Sequence, residues 1–197
     1  MKFSRQGFSL LEIVIVTAIL VVVLTAGYTF QVNVFRNSAT ARSILEAEGE
    51  LRRTLTLLSA ELRQAAPANT GSYPITTAAS SSLVFYSDTD SDGLRERVRY
   101  FLVGDDLRRG IIKPSGSPYS YSQDDETTTT MVRNLAMAGG NIFDYYNGES
   151  EMLPEPTDIA QIRMVGITLM VEENPRLAPE PITLSTKVTI RTLKDNH

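Results

Sequence analysis

Three aspartates at alternate positions form the part of this sequence that is best suited to bind a ligand. Asp88, Asp90 and Asp92 alternate with Thr and Ser, and Gly93 follows them. Carboxylates spaced in this way can converge on one hard cation such as Ca²⁺, while the glycine permits the sharp turn that brings them together. Glu96, three residues further on, can substitute for the distant carboxylate of a calcium loop. The run therefore predicts a weak calcium site of the extracellular type.

An acidic turn that binds no metal is the alternative interpretation of the same run. Asp and Gly are common at the tips of β-hairpins, where their side chains are solvated. The residue in the last ligand position of an EF-hand register is Arg99, which cannot coordinate a cation. The flanking residues also have the composition of strands and not of helices, so an EF-hand is excluded. An acidic hairpin tip and a calcium site both remain open.

The overall composition excludes several other kinds of site. The 197 residues include no cysteine, no tryptophan and a single histidine, His197. Disulfides, thiolate metal clusters, Ser–His–Asp triads and His-rich zinc sites are therefore excluded. The net charge of -4 opposes binding to nucleic acid. No nucleophile with a matching base is apparent, so we predict that the protein is not an enzyme and that Ca²⁺ is its only candidate cofactor.

A long apolar segment precedes the acidic run and must position the rest of the chain. Phe8–Gly27 contains one charged residue, Glu12, and as a helix it would cover about 30 Å, the thickness of a bilayer core. Lys2 and Arg5 precede the segment and the next basic residue is Arg36, so the positive-inside rule places the first residues in the cytoplasm. A cleavable secretory signal is the alternative, but its apolar region is usually only about 7–15 residues long. The segment predicts a single membrane span.

Glu12 gives this segment a more specific interpretation. An unpaired carboxylate in hydrocarbon costs at least about 2.5–3.5 kcal/mol, so Glu12 requires a partner. Gly7–Glu12 reads GFSLLE and leads into the apolar helix; it resembles the class III signal of type IV prepilins and type II secretion pseudopilins. The resemblance implies that prepilin peptidase cuts after Gly7 and methylates the new amine of Phe8. It also implies that Glu12 pairs with the N-terminal ammonium of a neighbouring subunit.

The helical period continues beyond the membrane segment. No proline occurs between Phe8 and Ala66, and Pro67 then ends the pattern. Glu61 lies off the apolar stripe of this second helical half. The stripe consists of residues spaced by three, four or seven positions, namely Ile44, Leu51, Leu55, Leu58, Leu62 and Ala65. This spacing predicts that the outer half of the helix packs onto a globular head.

After Gly71 the sequence changes to short runs rich in β-branched and aromatic residues. The polar stretch Pro114–Thr130 is predicted to be an exposed loop. Strands are predicted at Ser82–Ser87, Arg97–Val103, Leu107–Lys113, Ile162–Val171 and Ile182–Leu193. The predicted fold class is α+β and pilin-like: one long N-terminal helix, membrane-spanning in its first half, with an antiparallel β-sheet head packed on its second half.

The resemblance divides the chain into four parts. Residues 1–7 would be the prepilin leader, 8–28 the transmembrane and assembly half of the helix, 29–66 its amphipathic half and 67–197 the β-rich head. It implies a single-pass protein of the bacterial inner membrane whose head lies outside the cytoplasm, in the periplasm of a Gram-negative cell, and which later enters a pilus or pseudopilus. The implied partners are prepilin peptidase, other pilin or pseudopilin subunits, the inner-membrane assembly platform and the membrane itself.

The head carries a looser resemblance. The hairpin LVFYSDTDSDG…RVRYFLV and the closing strand VTIRTL are similar to PilW-like minor pilins and to the minor J pseudopilin of type II secretion. We therefore predict a minor pilin that acts in assembly or initiation of a type IV pilus. A minor pseudopilin of a type II secretion system is one alternative, and a membrane-anchored calcium-responsive binding module is another. Glu12 separates the last from the others, because a simple anchor has no use for it.

Overall fold

The computed structural model describes residues 9–136, 140–155, 157–171 and 181–193. These residues form one α-helix, eight β-strands and three short 3-10 helices. The chain divides into two compact units, residues 1–43 and residues 44–197. The folded core and all the strands belong to the second unit, so that unit is an α+β domain.

The helix α1, Leu10–Arg63, confirms the prediction of one long N-terminal helix. Its length is consistent with the absence of proline, because every residue in it can donate its backbone N–H to the helical ladder. Gly27 and Gly49 lie within the helix in open surroundings and do not end it. The helix ends three residues before Ala66, where the following Pro67 disfavours helical backbone.

The predicted apolar stripe of the second helical half is buried from Leu51 onward, and its first residue, Ile44, is half-buried. Leu51, Leu58, Leu62 and Ala65 have no exposed surface, and Leu55 is nearly buried. Each fully buried leucine contributes about 1.5–3 kcal/mol through the removal of its side chain from water. The helix is therefore held to the β-structure of the second unit mainly by this stripe, as its spacing predicted.

Five strands form the first sheet, and each pairs antiparallel with its neighbour in chain order. The first three connections are short turns, while residues 113–126 form a longer connection between β4 and β5. Antiparallel neighbours can be joined in either way without a crossover, so the spatial order equals the chain order. The inward-facing residues Leu83, Phe85, Val98 and Tyr100 join the helical stripe in the core. The strands are β1 (Ile75–Ala79), β2 (Ser82–Ser87), β3 (Glu96–Val103), β4 (Asp106–Ile112) and β5 (Thr127–Val132).

A second antiparallel sheet contains three strands, again in chain order. These strands are β6 (Phe143–Tyr146), β7 (Met164–Val171) and β8 (Ile182–Thr189). The central strand β7 buries Val165, Ile167 and Leu169 in the same core as α1. Both sheets therefore contribute side chains to one hydrophobic core.

The outer strands of the sheets differ from the central strands. Strand β1 has an irregular register between Ile75 and Thr77. Strand β5 begins with four consecutive threonines, Thr127–Thr130, the first three of which are exposed. Strand β8 places the exposed Lys187 over the ring of Tyr146, 3.5 Å from the ring centroid to Nζ. Polar or irregular residues thus mark each of these three edges.

Two details of the predicted head are wrong. The stretch Pro114–Thr130 is not a loop throughout, because Thr127–Thr130 pair with β4. The polar side chains of this edge strand face solvent, so the apolar alternation that marks a half-buried strand is missing. The predicted antiparallel β-structure of the head is confirmed and consists of two sheets, but strands β1 and β6 were not predicted. Both are short, at five and four residues, and give little periodic signal.

The other predicted strands are confirmed with small shifts of their ends. The predicted third strand corresponds to β4, and the strand predicted from Ile162 begins at Met164 in β7. The last predicted strand ends earlier than expected, because β8 is followed by a 3-10 turn, Arg191–Leu193. Ile162 and Ile190, just outside the strands, are fully buried.

Candidate functional site

The first turn of α1 carries the candidate assembly residue Glu12. The backbone N–H groups of Glu12 and Ile13 donate to the carbonyl oxygen of Ser9 over 3.0 Å and 3.2 Å, which starts the helical ladder. The Glu12 side chain is exposed, and its position near the positive end of the helix dipole is favourable for a carboxylate. Among the described residues it has no ion-pair partner. The predicted processing residues Gly7 and Phe8 lie outside the described residues.

The helix that follows has the length and composition of a membrane span. Leu10–Val32 comprises 23 residues with a mean hydropathy of 2.7, and no residue in its most apolar part is buried. At 1.5 Å per residue it would extend about 35 Å, slightly more than a bilayer core. The only charged residue in this span is Glu12. In a membrane, the Glu12 carboxylate would therefore be the group of this span with the highest free-energy cost.

The threonine hydroxyls of the span all donate hydrogen bonds to carbonyl oxygens of the same helix. The Thr17 hydroxyl donates to the carbonyl oxygens of Ile13 and Val14, both at 3.0 Å. The Thr25 and Thr29 hydroxyls likewise donate to carbonyls of the preceding turn, at 2.9 Å. Such bonds remove the cost of placing a hydroxyl in hydrocarbon, because the donor is paired within its own helix. Glu12 has no comparable solution within the described chain.

The predicted calcium run forms the loop between β2 and β3. The loop turns through two residues with left-handed backbone, Ser91 at φ +63° and Gly93 at φ +88°. Strands flank it, as predicted, and the pairing of Ser87 with Glu96 closes its base. Glycine suits its position because other residues rarely adopt this backbone conformation. The register therefore brings Glu96 under the aspartate loop.

Three of the four predicted ligand residues are brought together. One carboxylate oxygen each from Asp88, Asp90 and Glu96 lies within 4.8 Å of the other two. Asp92 is not part of this group, and its Oδ1 accepts a hydrogen bond from the backbone N–H of Leu94 at 2.8 Å. The geometry thus separates Asp92 from the other three carboxylates.

Glu96 is an unusual member of this group because it has no exposed surface. Its Oε2 accepts hydrogen bonds from the backbone N–H and the hydroxyl of Thr89, at 2.8 Å and 2.9 Å. Its Oε1 is buried and accepts no hydrogen bond from any residue that the structure describes, and the same holds for Oδ1 of Asp88. Buried polar atoms are normally paired, so two unpaired carboxylate oxygens in one loop require an explanation.

A lysine supplies the positive charge at the open side of the loop. Lys113 Nζ pairs with Oδ2 of Asp90, and both side chains are substantially exposed. The hydrogen bond from Lys113 lowers the pKa of Asp90 below its usual value. The same bond, with smaller contributions from the charges of Asp90, Glu96 and Asp92, raises the pKa of Lys113. The aspartate loop therefore already attracts a cationic group.

A second buried carboxylate was missed by sequence reasoning. Glu61 is only 6% exposed, although it lies off the leucine stripe. Its Oε2 accepts hydrogen bonds from the Tyr100 hydroxyl at 2.7 Å and from Arg109 Nε at 3.2 Å, and its Oε1 pairs with the Arg109 terminal nitrogen. Burial and the neighbouring Glu61 charge raise the pKa of Tyr100. These three side chains join α1 to β3 and β4.

Another ion pair crosses β4 at a glycine. Arg99 on β3 donates to Glu126 through Nε at 2.8 Å and through a terminal nitrogen. The Glu126 carboxylate lies over Gly110 of β4, where a Cβ would come within 2.2 Å of Oε1. A side chain at residue 110 would displace the carboxylate, so glycine is required for this crossing. The pair is structural and does not extend the candidate sites.

The N-terminus of the chain matches a known protein family. Residues 2–28 match the family described as the prokaryotic N-terminal methylation motif. This match and the apolar helix are consistent with a type IV pilin-like protein. Curated protein sequences gave no match to the chain. The motif supports the pilin and pseudopilin class, and it implies processing by prepilin peptidase and assembly with other pilins.

Proposed function

We propose that this protein is a minor pilin subunit of a type IV pilus, cleaved after Gly7 and N-methylated at Phe8. The observation that carries the proposal is the overlap of the methylation motif, residues 2–28, with the exposed apolar segment Leu10–Val32, whose one charge is Glu12. A helix with this surface requires a membrane or other helices around it. A structural subunit that leaves the membrane to join a helical fibre meets both environments, so an apolar helix of this kind suits it.

The proposed topology follows from the charges at the two ends of the span. Lys2 and Arg5 would remain in the cytoplasm, and the unit of residues 44–197 would lie outside the inner membrane. The division into leader, assembly helix, amphipathic helix and head, at residues 7, 28 and 66, belongs to the same proposal. Prepilin peptidase, the assembly platform and other subunits would be its partners.

A minor pseudopilin of a type II secretion system is the second candidate, because pseudopilins resemble pilins in the same signal and helix. The two candidates differ in the machine and not in the chemistry of the subunit. Deleting the gene distinguishes them: loss of pili with normal secretion supports the pilin, and loss of secretion with normal pili supports the pseudopilin. Either result is compatible with a processing site at Gly7.

Processing is the first test of the proposal. We expect the protein isolated from its native membrane to begin at Phe8 and to carry one methyl group on its terminal amine. The variant Gly7→Val should remain at precursor length, because the peptidase reads the glycine before the cut. Intact-mass spectrometry measures both outcomes.

A matched glycine provides the control for this test. Gly27 also lies in the motif, and a Cβ there would meet nothing within 4 Å, so Gly27→Ala should be processed normally. A mature chain that retains residues 1–7, or one cut near Ala26, contradicts the proposal. Equal processing of the Gly7 variant and the wild type would contradict it as well.

A further inference from the structure

We propose that Asp88, Asp90 and Glu96 form a calcium site that closes the β2–β3 hairpin. Oxygens bound to one Ca²⁺ at about 2.3–2.6 Å lie at most about 4.6–5.2 Å apart. The three carboxylates each present an oxygen within 4.8 Å of the others, so they can reach one ion from their present positions. The inference concerns the unit of residues 44–197 and does not depend on assembly.

The buried oxygens provide the independent evidence. Oε1 of Glu96 has no hydrogen-bond donor among the described residues although the residue is fully buried, and Oδ1 of Asp88, a buried atom of a half-buried residue, has none either. A buried carboxylate oxygen without a partner is costly, since water no longer solvates it. The carboxylates of a simple acidic hairpin tip are solvated, and such a tip does not explain why a glutamate is buried next to its aspartates. A cation in the loop satisfies both oxygens.

The other oxygens of the same carboxylates are held by the loop. Thr89 binds Oε2 of Glu96, and the Gly93 N–H donates to Oδ2 of Asp88 at 3.0 Å. The Asp92 N–H donates to Oδ1 of Asp90 at 3.3 Å. One oxygen of each carboxylate is thus held by the hairpin; the other has no partner among the described residues in Asp88 and Glu96, and in Asp90 it pairs with Lys113. Outer hydrogen bonds of this kind orient metal ligands before the ion binds.

Lys113 is the group with which the ion would compete. Its ammonium pairs with Oδ2 of Asp90 at the exposed side of the loop, so Ca²⁺ binding must release it. Exposed pairs of this kind are weak, and the lysine can turn into solvent without loss of buried contacts. Three carboxylates supply only part of the 6–8 oxygens of calcium, and backbone carbonyls and water would complete the shell. The expected dissociation constant is therefore about 10⁻⁴–10⁻³ M.

Calcium titration of the full-length protein in detergent micelles tests the site. Isothermal calorimetry should give saturable binding with a Kd of about 0.1–1 mM. The melting temperature of the β-structure should rise by about 3–6 °C at ten times the Kd. Sodium chloride of equal ionic strength should produce no saturable change, because screening does not depend on the three ligands.

Substitutions in the loop distinguish a site from general acidity. Asp90→Asn keeps the loop hydrogen bond but removes a ligand charge, and should weaken binding about ten-fold or more. Asp92→Asn removes the same charge from the same loop outside the group, and should weaken binding by no more than about three-fold. Lys113→Gln removes the competing cation and should tighten binding by about two- to five-fold.

Glu96→Gln tests the buried ligand and should abolish the calcium binding that calorimetry detects. Circular dichroism of this variant without calcium shows whether the unit of residues 44–197 is folded. If this variant does not fold, the exposed Asp90 and Asp92 pair of variants decides the question alone. The proposal is overturned if the wild type shows no saturable calcium response up to about 10 mM. It is also overturned if Asp90→Asn and Asp92→Asn respond as the wild type does.

Discussion

Cells that carry Glu12→Ala should retain this protein in the membrane but incorporate little of it into filaments. The substitution removes the only charge of the span, so insertion into the membrane becomes easier. In the proposed fibre, however, the ammonium of Phe8 on a neighbouring subunit would lose its partner. Leaving one member of a buried ion pair uncompensated costs about 3–5 kcal/mol, or roughly 10²- to 4 × 10³-fold in the incorporation equilibrium.

Immunoblots of sheared filaments and of membrane fractions measure this effect. Thr17→Val is the matched control, since the Thr17 hydroxyl bonds only to its own helix and its loss should leave incorporation unchanged. Normal incorporation of Glu12→Ala, in a strain where gene deletion abolishes pili or secretion, contradicts the pairing. A protein that serves only as an anchor would instead tolerate Glu12→Leu with full function.

The second large effect is expected at Glu61, inside the folded unit. Glu61→Ala should lower the free energy of unfolding by about 3–5 kcal/mol, because Arg109 and Tyr100 lose their shared acceptor while remaining largely buried. For a chain of this size the melting temperature should fall by roughly 6–20 °C. Thermal unfolding of the full chain in detergent, followed by circular dichroism, measures the change.

Two further variants control the Glu61 experiment. Glu48→Ala breaks a 2.5 Å pair with Arg52 on the same helix, but this pair is exposed and should contribute no more than about 1 kcal/mol. The triple variant Glu61→Leu, Arg109→Met and Tyr100→Phe should recover most of the loss, because it removes both charges and the buried hydroxyl and restores apolar volume. If Glu61→Ala melts within the error of Glu48→Ala, the buried network does not hold the helix to the sheet.

The sequence predicted those parts of the fold that depend on short-range periodicity. The spacing of Leu51, Leu55, Leu58 and Leu62 predicts both a helix and its buried face, since the 3.6-residue period specifies which side chains share a side. The hairpin of β2 and β3 is predicted from two short runs of β-branched and aromatic residues separated by turn residues. Strand β5 is not, because an exposed edge strand of threonines shows no apolar alternation. The division into two sheets depends on pairings between distant strands, which no local pattern records.

The candidate sites show the same limit. The alternate aspartates and the nearby Glu96 were visible in the sequence, but the separation of Asp92 from the group results from the path of the loop. The burial of Glu61 was not visible, although it directly precedes Leu62 at the margin of the apolar stripe. The facing strands carry the two partners of Glu61, because Tyr100 on β3 and Arg109 on β4 lie directly opposite each other. This pair of polar residues is the only sequence feature that points to a buried acceptor. Only the packing of the helix on the sheet joins them to Glu61.

The outer strands bear on how such subunits can be crowded together. A sheet edge presents unpaired backbone groups that can merge with the edge of another copy into a continuous sheet. Here the irregular register of β1 and Lys187 on β8 each make that merger unfavourable, whereas the threonines of β5 favour strand structure and do not oppose it. At the edges formed by β1 and β8, copies held side by side would therefore meet through side chains and stay separable. In the fibre proposed above, subunits that meet in this way could separate again without breaking a shared sheet.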